Sequence, residues 1–240
     1  MNAAEPIATD LPPLRIGGRS LLPIVQGGMG VGISAHRLAG AVARLNAVGT
    51  IASVDLRRHH PDLMAATGTA RDKAAIERAN RVALDREIRA ALAAAGGRGL
   101  IAVNVMRAVG QYADYVRQSC ESGAHAIVAG AGLPLDLPEL AAAFPAVALV
   151  PILSDARGVG IVLKKWQRRN RLPDAIVIEH PRHAGGHLGA ARIEDLADPR
   201  FEFARVLEET FALLARLGLE RERIPLVVAG GIASPEAVRA

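Results

Sequence analysis

Seven short runs of Val, Ile, Leu and Ala punctuate the chain: "LPIVQ" (22–26), "VGTIAS" (48–53), "GLIAVNV" (99–105), "AHAIVAG" (124–130), "AVALVPI" (146–152), "DAIVIEH" (174–180) and "IPLVVAGG" (224–231). None of them alternates polar with apolar residues, which is the mark of a strand buried on both faces in a parallel sheet. Most end on Gly or Pro and lead into a helical pattern. Repeated strand–helix alternation of this kind restricts the chain to an α/β fold.

The intervening segments read as amphipathic helices. "SAHRLAGAVARLNA" opens at Ser34 as N-cap and carries Leu38, Val42 and Leu45 at helical spacing. "RVALDREIRAALAAAGG" stops on Gly96-Gly97, a C-terminal signal. "EFARVLEETFALLARLG" repeats Phe203, Val206, Leu207, Phe211 and Leu214 on one face. The last residues, "GGIASPEAVRA", begin a helix, with Ser234 as cap, Pro235 first and Glu236 in the first turn.

Two architectures satisfy this pattern, a (β/α)₈ TIM barrel and an open doubly wound sheet. A dinucleotide-binding half would place GxGxxG after the first strand and an acid about 20 residues on, and this chain does not. A barrel is therefore expected, read as a single domain over residues 1–240. It needs eight strands and the chain supplies seven, so truncation of the eighth is expected. Residues 56–98 are long for one crossover and read as an excursion over the barrel mouth or rim, between strands two and three.

Composition narrows the chemistry. The 240 residues include 24 glycines and one cysteine, Cys120, which excludes an intrachain disulfide framework and a cysteine-based zinc site. Cys120 itself reads as a core residue. No apolar run approaches the roughly 18–20 residues of a membrane span. The N-terminus has acids and prolines where a signal peptide has an apolar core, so a cytoplasmic protein is expected. Net charge is +5, with only Lys73, Lys164 and Lys165 among the lysines. The one dense basic stretch, "LKKWQRRNR" (163–171), reads as a solvated helix face, and no nucleic-acid-binding motif accompanies it. Trp166 beside it is a candidate interface residue, and a homodimer is left open.

In a barrel, the residues after each strand build the active site. Here they are Gln26-Gly27-Gly28-Met29-Gly30, Ser53-Val54-Asp55, Asn104, Gly130-Ala131-Gly132, Ser154-Asp155, His180 to His187 and Gly230-Gly231. That set is rich in glycine and poor in charge. It suits a flat apolar cofactor held by backbone amides, with a phosphate tail, and lacks the converging carboxylates that metal hydrolysis requires. Gly230 and Gly231 follow strand seven, where barrels of this type commonly bind phosphate. His59-His60 read as loop surface and His125 as structural.

The motifs "PIVQGGMGVGIS", "IAVNVM", "AIVAGAGLP", "IEHPRHAGGHLG" and "IPLVVAGGI", in this order, closely resemble the nitronate monooxygenase family, which shades into the FMN-dependent enoyl-ACP reductases. The resemblance runs from about Leu22 to the last residue, and its most specific element is Ala184 to Gly189. It implies a barrel that binds FMN. Gly27, Gly28 and Met29 would lie beside the flavin ring, Gln26 would be a further cofactor-binding residue, and Asn104 would contact the flavin. Gly185 and Gly186 would approach the cofactor, His187 would be catalytic, and Gly230 and Gly231 would hold the phosphate.

Two departures stand out. In the subgroup, Glu-Gly-Pro leads almost directly to Ala-Gly-Gly-His, whereas "EHPRHAGGH" has His180 in place of glycine and is one residue longer. His180 and His183 therefore enter as candidate substrate-side residues, His183 either crowding the site or supplying a second base. The other departure is the absent eighth strand, which would complete the phosphate cradle.

A small-molecule substrate is expected, with no nucleic-acid or membrane partner. In the chemistry that the resemblance implies, His187 stabilises or deprotonates an alkyl nitronate or nitroalkane beside FMN, and O₂ takes the electrons. The alternatives are a flavin reductase with NAD(P)H as electron donor, acting on enoyl thioesters or quinones, and a non-catalytic flavin- or phosphate-binding barrel.

Overall fold

A hairpin opens the fold. In the computed structural model, which describes residues 7–69, 71–185, 189–190, 192–232 and 234–239, β1 (Leu14–Ile16) and β2 (Arg19–Leu21) pair antiparallel. Gly17 and Gly18 both take positive φ, +55° and +74°, the requirement of a tight two-residue turn. The sequence reading passed over this element, because three-residue strands leave too short an alternation to register.

Each of the seven apolar runs then forms a strand: β3 (Val25–Gln26), β4 (Val48–Ala52), β5 (Leu100–Met106), β6 (Ala126–Gly130), β7 (Ala148–Leu153), β8 (Ile176–Glu179) and β9 (Leu226–Ala229). They lie in one sheet in chain order, β3-β4-β5-β6-β7-β8-β9. The pairings β3–β4, β4–β5, β7–β8 and β8–β9 are parallel. The helices are α1 (His36–Arg44), α2 (Pro61–Thr67), α3 (Lys73–Ala95), α4 (Tyr112–Glu121), α5 (Leu137–Leu140), α6 (Ala156–Gln167), α7 (Phe203–Arg216) and α8 (Pro235–Arg239). This is the alternation of a (β/α)₈ barrel, of which the described residues supply seven strands. Two compact units make up the chain: Met1–Val105, Val109–Val128 and Glu139–Ala148 form one, and Met106–Ala108, Ala129–Pro138 and Leu149–Ala240 the other.

In the first unit, α1 sits on the sheet through small residues. Its buried face is Ala39, Gly40 and Ala43, not the expected Leu38, Val42 and Leu45; Leu45 is exposed. The reason is the closeness of approach. A Cβ on Gly49 would stand 1.9 Å from the Ala39 carbonyl oxygen, and one on Gly99 would stand 2.2 Å from that of Ala43. Bulky side chains are thereby forced to the flanks of the contact.

The N-cap of α1 is Ala35, one residue later than expected. The Ser34 hydroxyl is already taken, accepting from Met29 N–H at 2.7 Å and donating to Met29 C=O at 3.2 Å. The excursion over residues 56–98 is mostly α3, which packs against α1 and α4. It begins with Asp72 accepting from Ala74 N–H and ends at Gly96 in the left-handed conformation, as the Gly-Gly signal predicts.

In the second unit, α7 buries Val206, Thr210 and Leu214 and half-buries Leu207 and Phe211, on the face expected. Trp166 is fully buried, and its indole N–H donates to Pro134 C=O at 3.1 Å. It belongs to the core rather than to an interface, since a buried indole is stable once its single donor is satisfied. Lys164 and Arg168 on the same segment are exposed, in keeping with a solvated helix face. Ser234 caps α8 by accepting from Ala237 N–H at 3.2 Å. Among the described residues, no helix is long and apolar enough to cross a membrane.

Candidate functional site

In the first unit, the ends of β3 and β5 bring Gly28 and Asn104, both singled out by sequence, into contact. Asn104 lies near the end of β5, in register with Ala52, and its carbonyl accepts from Ser53 N–H at 3.1 Å. Gly28 is pressed against the Asn104 side chain so closely that an added Cβ would lie 2.5 Å from both its Cβ and its Nδ2. The Asn104 amide is half-buried and has no hydrogen-bond partner among the described residues. Its donor and acceptor are therefore open to solvent or to a ligand. The neighbouring Ser53 hydroxyl is buried and also lacks a partner among the described residues. Gly27 has open space where a Cβ would be, and Met29 is exposed. Gln26 is different. Its amide accepts from Thr50 N–H at 3.1 Å and donates to Thr50 C=O at 3.2 Å, so its polar atoms serve the β3–β4 junction.

Behind this loop lies a cluster that sequence reasoning missed. Glu87 on α3 is only 2% exposed. Its Oε2 accepts from His36 N–H and stands 2.7 Å from His36 Nδ1, while its Oε1 is 3.1 Å from His60 Nε2. Since His36 is the first residue of α1, the carboxylate caps that helix from a different element, with the favourable sign for a helix N-terminus. His60 is therefore not loop surface; it is held against a buried acid. His59 is exposed but lies where a Gly32 Cβ would fall, 1.5 Å from its Nε2. The detectable signal was an acid on the apolar row Ala83–Glu87–Ala91 of α3.

Two further groups in this unit are structural. His125 Nδ1 accepts from Ile101 N–H at 3.0 Å, and its Nε2 is 3.2 Å from Arg19 Nη2. Two donors face one ring, and burial followed by the Arg19 charge holds its pKa below the ordinary value. Burial raises the Asp55 carboxyl, but its hydrogen bond to Arg58 and the charges of Arg57 and Arg58 outweigh this and lower it.

In the second unit, the residues after β7, β8 and β9 form another group. Ser154 follows β7, with its hydroxyl buried and unpartnered among the described residues. Gly189 is packed there so tightly that a Cβ would lie 2.3 Å from Ser154 Oγ and 3.1 Å from Pro181 Cβ. After β8, a 3-10 turn spans Pro181–His183. His180 is buried; its Nδ1 accepts from Arg182 N–H at 3.2 Å, and its ring meets Phe203 edge-on at 5.6 Å. Burial lowers its pKa, Glu202 opposes that, and His183 and Arg182 reinforce it. His180 thus acts as the cap of its own turn. His183 is exposed and lies against Gly230 and Gly231, which follow β9. Gly185 has open space around it, whereas Gly186 and His187 lie outside the described residues. Among the described residues, no group of His, Cys, Asp or Glu is arranged to hold a metal ion.

A family model described as nitronate monooxygenase matches residues 19–240. No curated protein matches the chain. Among solved structures, FabK from Thermotoga maritima is similar with a TM-score of 0.56 and 18% identity, over 90% of this chain and 53% of that one. A nitroalkane oxidase from Streptomyces ansochromogenes is similar with a TM-score of 0.57 and 19% identity, over 88% of this chain and 58% of that one. At such identity the likeness establishes the fold. The chain spans little more than half the length of either structure.

Proposed function

Because the chain belongs to the nitronate monooxygenase family, we propose that it is an FMN-dependent oxidoreductase that oxidises alkyl nitronates or nitroalkanes with O₂. The observation that carries this reading is the unsatisfied, half-buried Asn104 amide against Gly28, at a strand end where barrel active sites are built. The residues fit a flavin: glycines leave backbone amides accessible, and the Ser53 and Ser154 hydroxyls lack partners among the described residues. Gly27, Gly28, Met29 and Asn104 would border the ring, with Gln26 fixing the start of that loop. Gly185 and Gly186 would allow close backbone approach, and Gly230 and Gly231 would take the phosphate.

When bound, FMN supplies the two-electron oxidation and passes the electrons to O₂. His187 holds or accepts the substrate proton; an imidazole that titrates near neutrality suits either task. In this reading residues 1–240 act as one flavin-binding domain in the cytoplasm, on a small-molecule substrate.

The test is direct. The purified chain should carry visible flavin absorption through gel filtration and consume O₂ when given a nitroalkane. His187→Asn should retain the flavin while turnover falls on the order of 10²-fold. A colourless protein that cannot be loaded with FMN would refute the flavin reading. Turnover confined to NADH or NADPH with an enoyl thioester or quinone would move the chain to the reductase class.

A further inference from the structure

We propose that His183 grips the phosphate end of the flavin nucleotide, an inference that rests on the flavin reading above. β8 and β9 run in register from Ile176↔Leu226 to Glu179↔Ala229, and His180 N–H donates to Ala229 C=O at 3.1 Å. The turn after β8 is therefore locked beside the end of β9. Within that turn, His183 N–H donates to His180 C=O at 3.0 Å, and His180 Nδ1 accepts from Arg182 N–H. The effect is to lay the His183 side chain over the Gly230-Gly231 corner. A Cβ on Gly230 would lie 3.1 Å from His183 Cβ, and one on Gly231 would lie 3.2–3.4 Å from the Cδ2, Cγ and Nε2 of the ring.

Both glycines adopt positive φ, +95° and +77°, so the corner is a backbone geometry that other residues rarely adopt. The two imidazoles of this turn have separate tasks. His180 is buried and occupied as a cap, whereas His183 is exposed and neither of its ring nitrogens has a hydrogen-bond partner among the described residues. An imidazole offers at least one N–H in either protonation state, and a phosphomonoester offers several acceptor oxygens. A side-chain donor beside the bare amides of a glycine corner is an arrangement suited to a terminal phosphate.

The discriminating experiment compares FMN with riboflavin, which lacks the phosphate, by flavin-fluorescence titration of the 240-residue chain. His183→Ala should weaken FMN binding by about 10- to 100-fold, the scale of one charge-assisted hydrogen bond, and leave riboflavin binding unchanged. His183→Gln, which restores an N–H donor, should recover part of the loss. Circular dichroism of both variants should match the parent. Equal losses for the two flavins, no loss, or tighter FMN binding once the ring is removed would overturn the proposal while leaving the flavin reading intact. If the parent chain binds neither flavin, both fall together.

Discussion

Removing the Glu87 carboxylate perturbs a buried cluster that lies outside the residues proposed to bind flavin. Glu87→Ala removes the acceptor of the first N–H of α1 and the carboxylate that faces His36 Nδ1 and the largely buried His60 Nε2. Leaving a buried hydrogen-bonding group without its partner typically costs about 1–3 kcal/mol. At roughly 2–4 °C per kcal/mol for a chain of this size, the melting temperature should fall by about 2–12 °C. Glu87→Gln keeps one acceptor oxygen but turns an NH₂ toward a donor, so its loss should be intermediate. Urea unfolding of the parent, Glu87→Ala, His60→Ala and the double variant measures both the cost and the coupling. If Glu87→Ala costs less than about 1 kcal/mol, or if the two substitutions are simply additive, the carboxylate is not the anchor described above.

Two other measurements follow from the buried groups. Burial pushes the Cys120 thiol up to about 11, so thiol reagents at pH 8 should leave it unmodified in the native chain and label it once urea unfolds the protein; rapid native labelling would show the thiol to be accessible. His125 and His180 both have folded-state pKa values below the ordinary 6.5. The stability they contribute is complete above pH 6.5 and is lost as the pH falls below it, because the unfolded chain then binds protons that the folded chain refuses. Unfolding free energy measured from pH 7.5 to 5 should decline, and His125→Asn, which keeps an acceptor for Ile101 N–H, should decline less steeply. A variant that falls as fast as the parent would remove His125 from the account.

The sheet was readable in the sequence because strands buried on both faces need unbroken apolar runs, and each of the seven runs became one. Helix ends marked by local chemistry were readable too, as at Gly96 and Ser234. What escaped were features decided by distant partners. α1 has Leu38 and Val42 at helical spacing, but its inward face was set by glycines on β4 and before β5. Its cap came from Glu87, 51 residues away in sequence, so no local pattern announced it. The Gly28–Asn104 contact brings together two residues chosen by resemblance, whereas Gln26, chosen with them, serves the backbone of Thr50.

The seating of α1 on bare backbone has a consequence for how this half of the fold tolerates change. Where side chains interdigitate, a substitution can be absorbed by repacking its neighbours. Where a glycine Cα meets a carbonyl oxygen, as Gly49 meets Ala39, no rotamer is left to adjust. The position of α1 is therefore a fixed datum, insensitive to drift in the surrounding aliphatic core. The loop that leads into it, residues 27–34, inherits that fixity at its far end, while its near end is tied down by the Gln26 amide. Sequence variation across relatives should accordingly be wide at Leu38 and Val42 and nearly absent at Gly49 and Gly99.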